Sequence, residues 1–139
     1  MARLQLAINV HDLEAGISFY EKFFDTPVTK RRPGYANFEI ADPPLKLVLF
    51  HQPEQAGSLN HLGVEMDSTD GVQATQQRLV QAGLTPGEAS EETCCYAAQT
   101  KFWVDTPDQQ AWEVYTVLGD TSPEITQETA KGESCCVQS

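Results

Sequence analysis

Long apolar runs and basic residues are both scarce in this sequence. No stretch approaches the roughly 18 consecutive apolar residues of a membrane span, and residues 1–10 lack the basic and apolar regions of a secretory signal. Lys and Arg number 9 against 20 Asp and Glu, which gives a net charge of -11 at pH 7. Because phosphate binding needs a basic face, we do not expect nucleic acid as a partner. The lack of a secretory signal and of a long apolar run leads us to expect a cytoplasmic protein without a membrane partner.

Cysteine is also sparse, and its four copies form two adjacent pairs, Cys94-Cys95 and Cys135-Cys136. A disulfide framework is not expected, since the cytosol keeps thiols reduced and a bridge between neighbours closes almost no loop. Two adjacent thiolates suit a soft centre such as trivalent arsenic, Cd(II) or Cu(I). The alternative is that Cys94 and Cys95 are two loop cysteines together by chance. The second pair falls in residues 119–139, a polar segment that we predict to be a flexible Cys-containing tail.

An internal repeat organises the rest of the chain. When Gln5 is aligned with His61, Leu6 falls over Leu62, and further along Phe38 falls over Phe102. Each copy reads as a strand, a helix and three strands. The sequence therefore predicts an α+β fold of paired βαβββ modules that form an incomplete barrel, with residues 1–118 as one domain and modules at about 1–57 and 58–118.

Alternation, helical periodicity and turn residues place the individual elements. Asp12 is the expected N-cap of the first helix, Ser68 or Asp70 caps the second, and Gly83 ends it. A strand near Pro86–Glu92 is the weakest prediction. The other predicted strands are Leu4–Val10, Val28–Arg32, Tyr35–Ile40, Leu45–Phe50, Leu59–Met66, Lys101–Val104 and Ala111–Val117.

The repeat also predicts a metal site. Gln5 and His61 hold the same place in the two copies, and a two-residue gap at the last turn puts Glu113 over Leu47. A histidine, a carboxylate and a neutral ligand approximate the facial triad of non-haem Fe(II) enzymes. Alternatively, His61 is an ordinary histidine; a buried glutamate, however, is uncommon unless it is paired or metal-bound. We expect His11 and His51 at the surface, although His51 is also a weaker candidate for a role in the site.

Several segments resemble the vicinal-oxygen-chelate superfamily, which comprises glyoxalases, bleomycin resistance proteins and dioxygenases. They are Leu6–Glu14, Phe19–Tyr20, His61–Val64 and Trp112–Tyr115. Within it, the chain resembles the ArsI/CadI group of Fe(II)-dependent organoarsenical C–As lyases and cadmium-induced proteins. That closer resemblance is carried by Arg32–Phe38, Pro43–Leu49, Cys94-Cys95 and Trp112–Tyr115.

The resemblance implies an O2-using lyase, of the non-haem dioxygenase type, that converts trivalent methyl- or aryl-arsenicals to arsenite. The catalytic metal site would be formed by Gln5, His61 and Glu113, which would hold Fe(II), with O2 as co-substrate. Other divalent metals could replace Fe(II) in vitro. Cys94 and Cys95 would hold the arsenic. Further candidates for the cleft, without an assigned step, are Tyr96, Lys101, Trp112 and Tyr115.

Other functions stay open at this point. The chain could be a cadmium- or arsenite-binding resistance protein without catalytic activity, or another superfamily enzyme such as a thiol transferase or an extradiol dioxygenase. Leu47 argues against glyoxalase I, which prefers four protein ligands. The resemblance leaves a homodimer open as the assembly.

Overall fold

The structure, a computed structural model, describes residues 2–94 and 96–120. The chain divides into two compact units, Arg3–Leu62 and a second unit that begins at Gly63. The order along the chain is strand, helix and three strands, twice. The predicted α+β fold class with βαβββ modules is therefore confirmed. No helix in the described part of the chain has the length and hydropathy to cross a bilayer.

The first unit is a sheet with one helix. Its strands lie in the order β2-β3-β4-β1 with the start of β5 next to β1. Strands β1 and β4 are parallel, whereas β3 is antiparallel to both β2 and β4. The bounds are β1 Arg3–Val10, α1 Leu13–Phe24, β2 Lys30–Arg32, β3 Tyr35–Ile40, β4 Leu45–His51, a 3-10 turn Pro53–Gln55 and β5 Leu59–Glu65.

Alternation along the strands separates an apolar face from a polar one in this unit. The apolar face packs on α1 through Ile17, and its buried members include Phe38, Leu47 and Leu49. The opposite face carries polar residues that are nonetheless buried, among them Gln5 at 4% exposure and Asn9 at 1%. Buried polar side chains need partners, so this second face is where a functional site is expected.

The second unit contains the end of β5 followed by one helix and three strands. Its antiparallel strands lie in the order β8-β7-β6, and Val72 of the helix packs on Phe102 and Val114. The bounds are α2 Thr69–Gln81, β6 Ser90–Cys94, β7 Ala97–Asp105 and β8 Ala111–Asp120. Strand β8 continues past the predicted domain end at residue 118, because Gly119 and Asp120 pair with Ala98 and Ala97. The predicted tail from residue 121 onward lies outside the described residues.

Both helix starts follow the predicted capping chemistry. The Asp12 carboxylate accepts from the Ala15 amide at 3.1 Å, and the Ser68 hydroxyl accepts from the Gly71 amide at 3.0 Å. Ser68 rather than Asp70 is therefore the second cap. Gly83 follows the end of α2 with a φ of 93°, a left-handed backbone conformation that glycine adopts without steric cost.

Candidate metal centre

Gln5 and His61 lie together on the polar face of the first unit. The Gln5 Nε2 and His61 Nε2 atoms are 3.2 Å apart, and the two residues are buried to 4% and 1% exposure. The Phe50 ring is 6.3 Å from the imidazole, centroid to centroid. Two of the three predicted ligands are thus neighbours in a buried, partly aromatic environment.

The residue before His61 places a hydrogen-bond acceptor against the Nδ1 atom of the imidazole. His61 Nδ1 is 2.8 Å from Asn60 Oδ1, and a carboxamide oxygen can only accept a hydrogen bond. Nδ1 therefore carries the proton, and the lone pair of Nε2 faces the amide nitrogen of Gln5. A histidine that binds a metal through Nε2 needs this tautomer, so the donor set here fits a metal ion.

Asn60 belongs to a chain of hydrogen bonds that the sequence did not reveal. Asn60 Nδ2 donates to Asn9 Oδ1 at 3.0 Å, and Asn9 Nδ2 donates to Ser58 Oγ at 3.0 Å. The Ser58 hydroxyl in turn donates to the Gln55 carbonyl at 2.6 Å. The polar groups around His61 therefore satisfy one another over four residues. The sequence signalled Asn9 and Asn60 only as polar residues in otherwise apolar strands, and it gave no sign of Ser58 or Gln55.

Glu113 lies in the second unit, where it forms a buried ion pair. Lys101 Nζ donates to Glu113 Oε1 at 2.7 Å, and the side chains are 0% and 4% exposed. The ammonium also lies 5.6 Å from the Trp103 ring centre and 6.0 Å from that of Tyr115. The carboxylate thus has a counter-charge on one oxygen. That Lys101 is the partner of Glu113 was not predicted, although Lys101 was a candidate for the cleft.

The prediction that Glu113 is the counterpart of Leu47 is wrong. Phe38 pairs with Leu47 across the first sheet, whereas Phe102 pairs with Val114 and Trp103 with Glu113 across the second. Since Phe38 and Phe102 are equivalent, Leu47 corresponds to Val114, and Glu113 corresponds to Lys46. Leu47 packs beneath α1, so its identity says nothing about the number of metal ligands.

The predicted thiol pair is only partly within the structure. Cys94 is the last residue of β6 and pairs with Ala97, rather than lying in the connection between strands. Tyr96, in the turn that follows, has a φ of 65°. Cys95 lies outside the described residues, as do Cys135 and Cys136. The role of Cys94 and Cys95 in arsenic binding stays a prediction.

The two remaining histidines, His11 and His51, are exposed, as predicted. Among residues 2–94 and 96–120, no three His, Cys, Asp or Glu side chains are grouped to hold a metal. The predicted set contains one histidine, one carboxylate and one amide, so it would not form such a group. That Glu113 joins Gln5 and His61 around one ion stays a prediction.

Comparison with known proteins places this chain in a family. The sequence model of the Glyoxalase/Bleomycin resistance protein/Dioxygenase superfamily matches residues 3–114. The chain therefore belongs to that superfamily, which confirms the resemblance found in the sequence.

Several relatives match over nearly the whole chain. A cadmium-induced protein CadI of Mycobacterium tuberculosis is 51% identical, over 98% of this chain and 93% of its own length. A trivalent organoarsenical cleaving enzyme of Thermomonospora curvata is 49% identical, over 98% and 89%. A solved Mn(II)-bound glyoxalase from Novosphingobium aromaticivorans shares the fold, with a TM-score of 0.59 and 17% identity over 88% of this chain and 42% of that chain.

Proposed function

We propose that this protein is an Fe(II)-dependent lyase that cleaves the C–As bond of trivalent methyl- or aryl-arsenicals and releases arsenite. The observation that carries the proposal is the 49% identity, over 98% of the chain, to an organoarsenical cleaving enzyme. The buried Gln5–His61 pair and the adjacent thiols of Cys94 and Cys95 supply the two kinds of site that such a reaction needs. A cytoplasmic location and a homodimer remain predictions.

In this proposal Gln5, His61 and Glu113 hold the metal. A ferrous ion held by an amide oxygen, an imidazole nitrogen and a carboxylate would supply the activation of O2. His61 would bind the ion through Nε2, since its other ring nitrogen, Nδ1, contacts Asn60. Lys101 donates to one oxygen of Glu113, and the carboxylate would bind the ion through its second oxygen. Gln5 would bind through its amide oxygen, which requires its carboxamide to turn from the orientation in which the nitrogen faces His61.

The thiols position the substrate. Thiolates of Cys94 and Cys95 bind trivalent arsenic, a soft centre that favours sulfur ligands, and this fixes the carbon substituent relative to the oxidant. The overall reaction balances with O2 as the oxidant. Methylarsenous acid and one O2 give arsenous acid and formaldehyde: the C–As bond, one methyl C–H bond and the O–O bond break, a C=O bond and an As–O bond form, and the displaced hydrogen becomes the third hydroxyl hydrogen of arsenous acid. Arsenic stays trivalent while the methyl carbon is oxidised.

The test is arsenite release from methylarsenite under air by the Fe(II)-loaded protein, with Cys94→Ser and Cys95→Ser as variants. We expect each substitution to lower the rate by at least about 100-fold, because positioning supplies a large part of the acceleration. The matched control is Cys135→Ser, a cysteine of the other adjacent pair. Undiminished arsenite release by the Cys94 and Cys95 variants would remove the thiols from the mechanism.

A second candidate is a resistance protein that sequesters Cd(II) or arsenite without turnover. The 51% identity to a cadmium-induced protein and the soft character of adjacent thiolates favour it. The two functions differ in oxygen consumption, since a binding protein consumes no O2 when methylarsenite is added. An oxygen electrode therefore separates them.

A further inference from the structure

We propose that Asn60 is a positioning residue for His61, and that a hydrogen-bond chain ending at a backbone carbonyl fixes the tautomer of this imidazole. The proposal goes beyond the identity of the ligands and rests on the metal site of the proposed function. Asn60 is 8% exposed and Asn9 is 1% exposed, so water has little access to either carboxamide. The neighbouring side chains therefore decide how both amides are oriented.

The donor and acceptor of each hydrogen bond in this series follow from the Gln55 carbonyl, where the series ends. The carbonyl of Gln55 can only accept, so the single hydroxyl proton of Ser58 points toward it at 2.6 Å. The Ser58 oxygen must then accept, and the atom 3.0 Å away is the donor Nδ2 of Asn9. The oxygen of Asn9 is consequently turned to Asn60, whose Nδ2 lies 3.0 Å from it.

The last link reaches His61. With Asn60 Nδ2 committed to Asn9, Asn60 Oδ1 faces His61 Nδ1 at 2.8 Å, and only a protonated Nδ1 can complete the bond. If the Asn60 amide were reversed, its oxygen would face the side-chain oxygen of Asn9, and the hydrogen bond between them would be lost. Partners beyond the ligands that fix ring orientation and tautomer commonly contribute 10–100-fold to metal affinity. Asn60 therefore prepares Nε2 as a metal ligand before any ion binds.

A purely structural role makes a different prediction. If Asn60 and Asn9 only connect β5 to β1, then their loss lowers stability and leaves the protonation of His61 unchanged. The distinguishing measurement is the protonation pattern of the His61 ring nitrogens, read by ¹⁵N NMR on the metal-free full chain at a pH where the ring is neutral. Fe(II) affinity, measured under nitrogen by competition with a chromogenic chelator, is the second readout.

The variants are Asn60→Leu, which removes the acceptor, and Asn60→Asp, which keeps an acceptor for Nδ1 but loses the amide donor to Asn9. We expect wild type and Asn60→Asp to show the Nδ1-protonated tautomer, and Asn60→Leu to populate the Nε2-protonated form. Fe(II) affinity should fall by about 10–100-fold in Asn60→Leu and by less in Asn60→Asp, which keeps the acceptor for Nδ1. Asn37→Leu is the matched control, since Asn37 is also buried, at 4% exposure, but is not part of the hydrogen-bond chain. This variant should change neither the tautomer nor the Fe(II) affinity.

Ser58→Ala covers the case in which Asn60→Leu fails to fold. Ser58 is exposed, and its substitution removes only the hydrogen bonds at the Gln55 end of the hydrogen-bond chain. We expect a mixture of tautomers in this variant. An unchanged Nδ1-protonated ring in both Asn60→Leu and Ser58→Ala would overturn the inference. The inference and the proposed function can fail separately: wild type that has the fixed tautomer and binds Fe(II) but releases no arsenite refutes only the lyase.

Discussion

Substitution of Lys101 by methionine removes the ammonium that forms an ion pair with the buried carboxylate of Glu113. The Nζ and Oε1 atoms are 2.7 Å apart, and the two side chains are 0% and 4% exposed. Water therefore cannot replace the lost ammonium. Removal of one partner from a buried ion pair costs about 3–5 kcal/mol, and methionine keeps most of the volume of lysine, so a cavity adds little. We expect the free energy of unfolding of the metal-free protein to fall by this amount.

Urea denaturation at pH 7 measures the effect, with Lys22→Met as the matched control. Lys22 is exposed on α1, and a surface substitution of this kind changes stability by less than about 0.5 kcal/mol. The double variant Lys101→Met with Glu113→Leu removes both charges and should be more stable than Lys101→Met alone. A Lys101→Met protein within about 1 kcal/mol of wild type would refute the account of Glu113 as a desolvated carboxylate that depends on this ion pair.

Three further predictions follow from the site and the core. His61→Ala should weaken Fe(II) binding at least about 100-fold in an anaerobic chelator competition. His51→Ala, at an exposed position, should leave Fe(II) binding unchanged. An equal loss in both variants would argue against His61 as the ligand. Leu47→Glu should lower the free energy of unfolding by more than about 3 kcal/mol without a gain in Fe(II) affinity, since Leu47 packs beneath α1; a tighter site would restore its predicted role as a ligand position. Ser68→Ala should cost about 1 kcal/mol in urea denaturation, and no loss would mean that the Gly71 amide has another acceptor.

The elements of this chain could be predicted from sequence because their signals are local. Tyr35–Ile40 was predicted at its observed bounds, and the Asp12 cap was correct because capping involves residues three apart. Strand β7 begins at Ala97, four residues before its predicted start at Lys101, since its pairing with β6 extends to Cys94. Pairing of this kind depends on a distant segment and leaves little local pattern.

The register between the repeats could not be found by comparing sequences alone. The turn before β8 is one residue longer than the alignment assumed, so Glu113 was set against Leu47 instead of Lys46. A slip of one residue moves a side chain to the other face of a strand. The error therefore turned a core leucine into an apparent vacant ligand position, although the predicted ligands themselves are unaffected.

The partners of the predicted ligands also lay beyond the reach of the sequence. Residue types and spacing single out His61 and Glu113, but the contacts of Asn60 with Asn9 and of Lys101 with Glu113 depend on side-chain rotamers across strands. Polar residues in apolar strands were the only sign of them. Such residues are expected to have partners, yet the pattern does not say which.

The central claim is tested most directly by arsenic speciation of the products that the Fe(II)-loaded wild-type protein forms from methylarsenite under air. The account predicts that methylarsenite disappears over many turnovers, that inorganic arsenite appears in equal amount, and that a nitrogen atmosphere stops the reaction. Methylarsenite that stays intact, held at a fixed ratio to protein and recovered unchanged after denaturation, would contradict it and identify a binding protein instead.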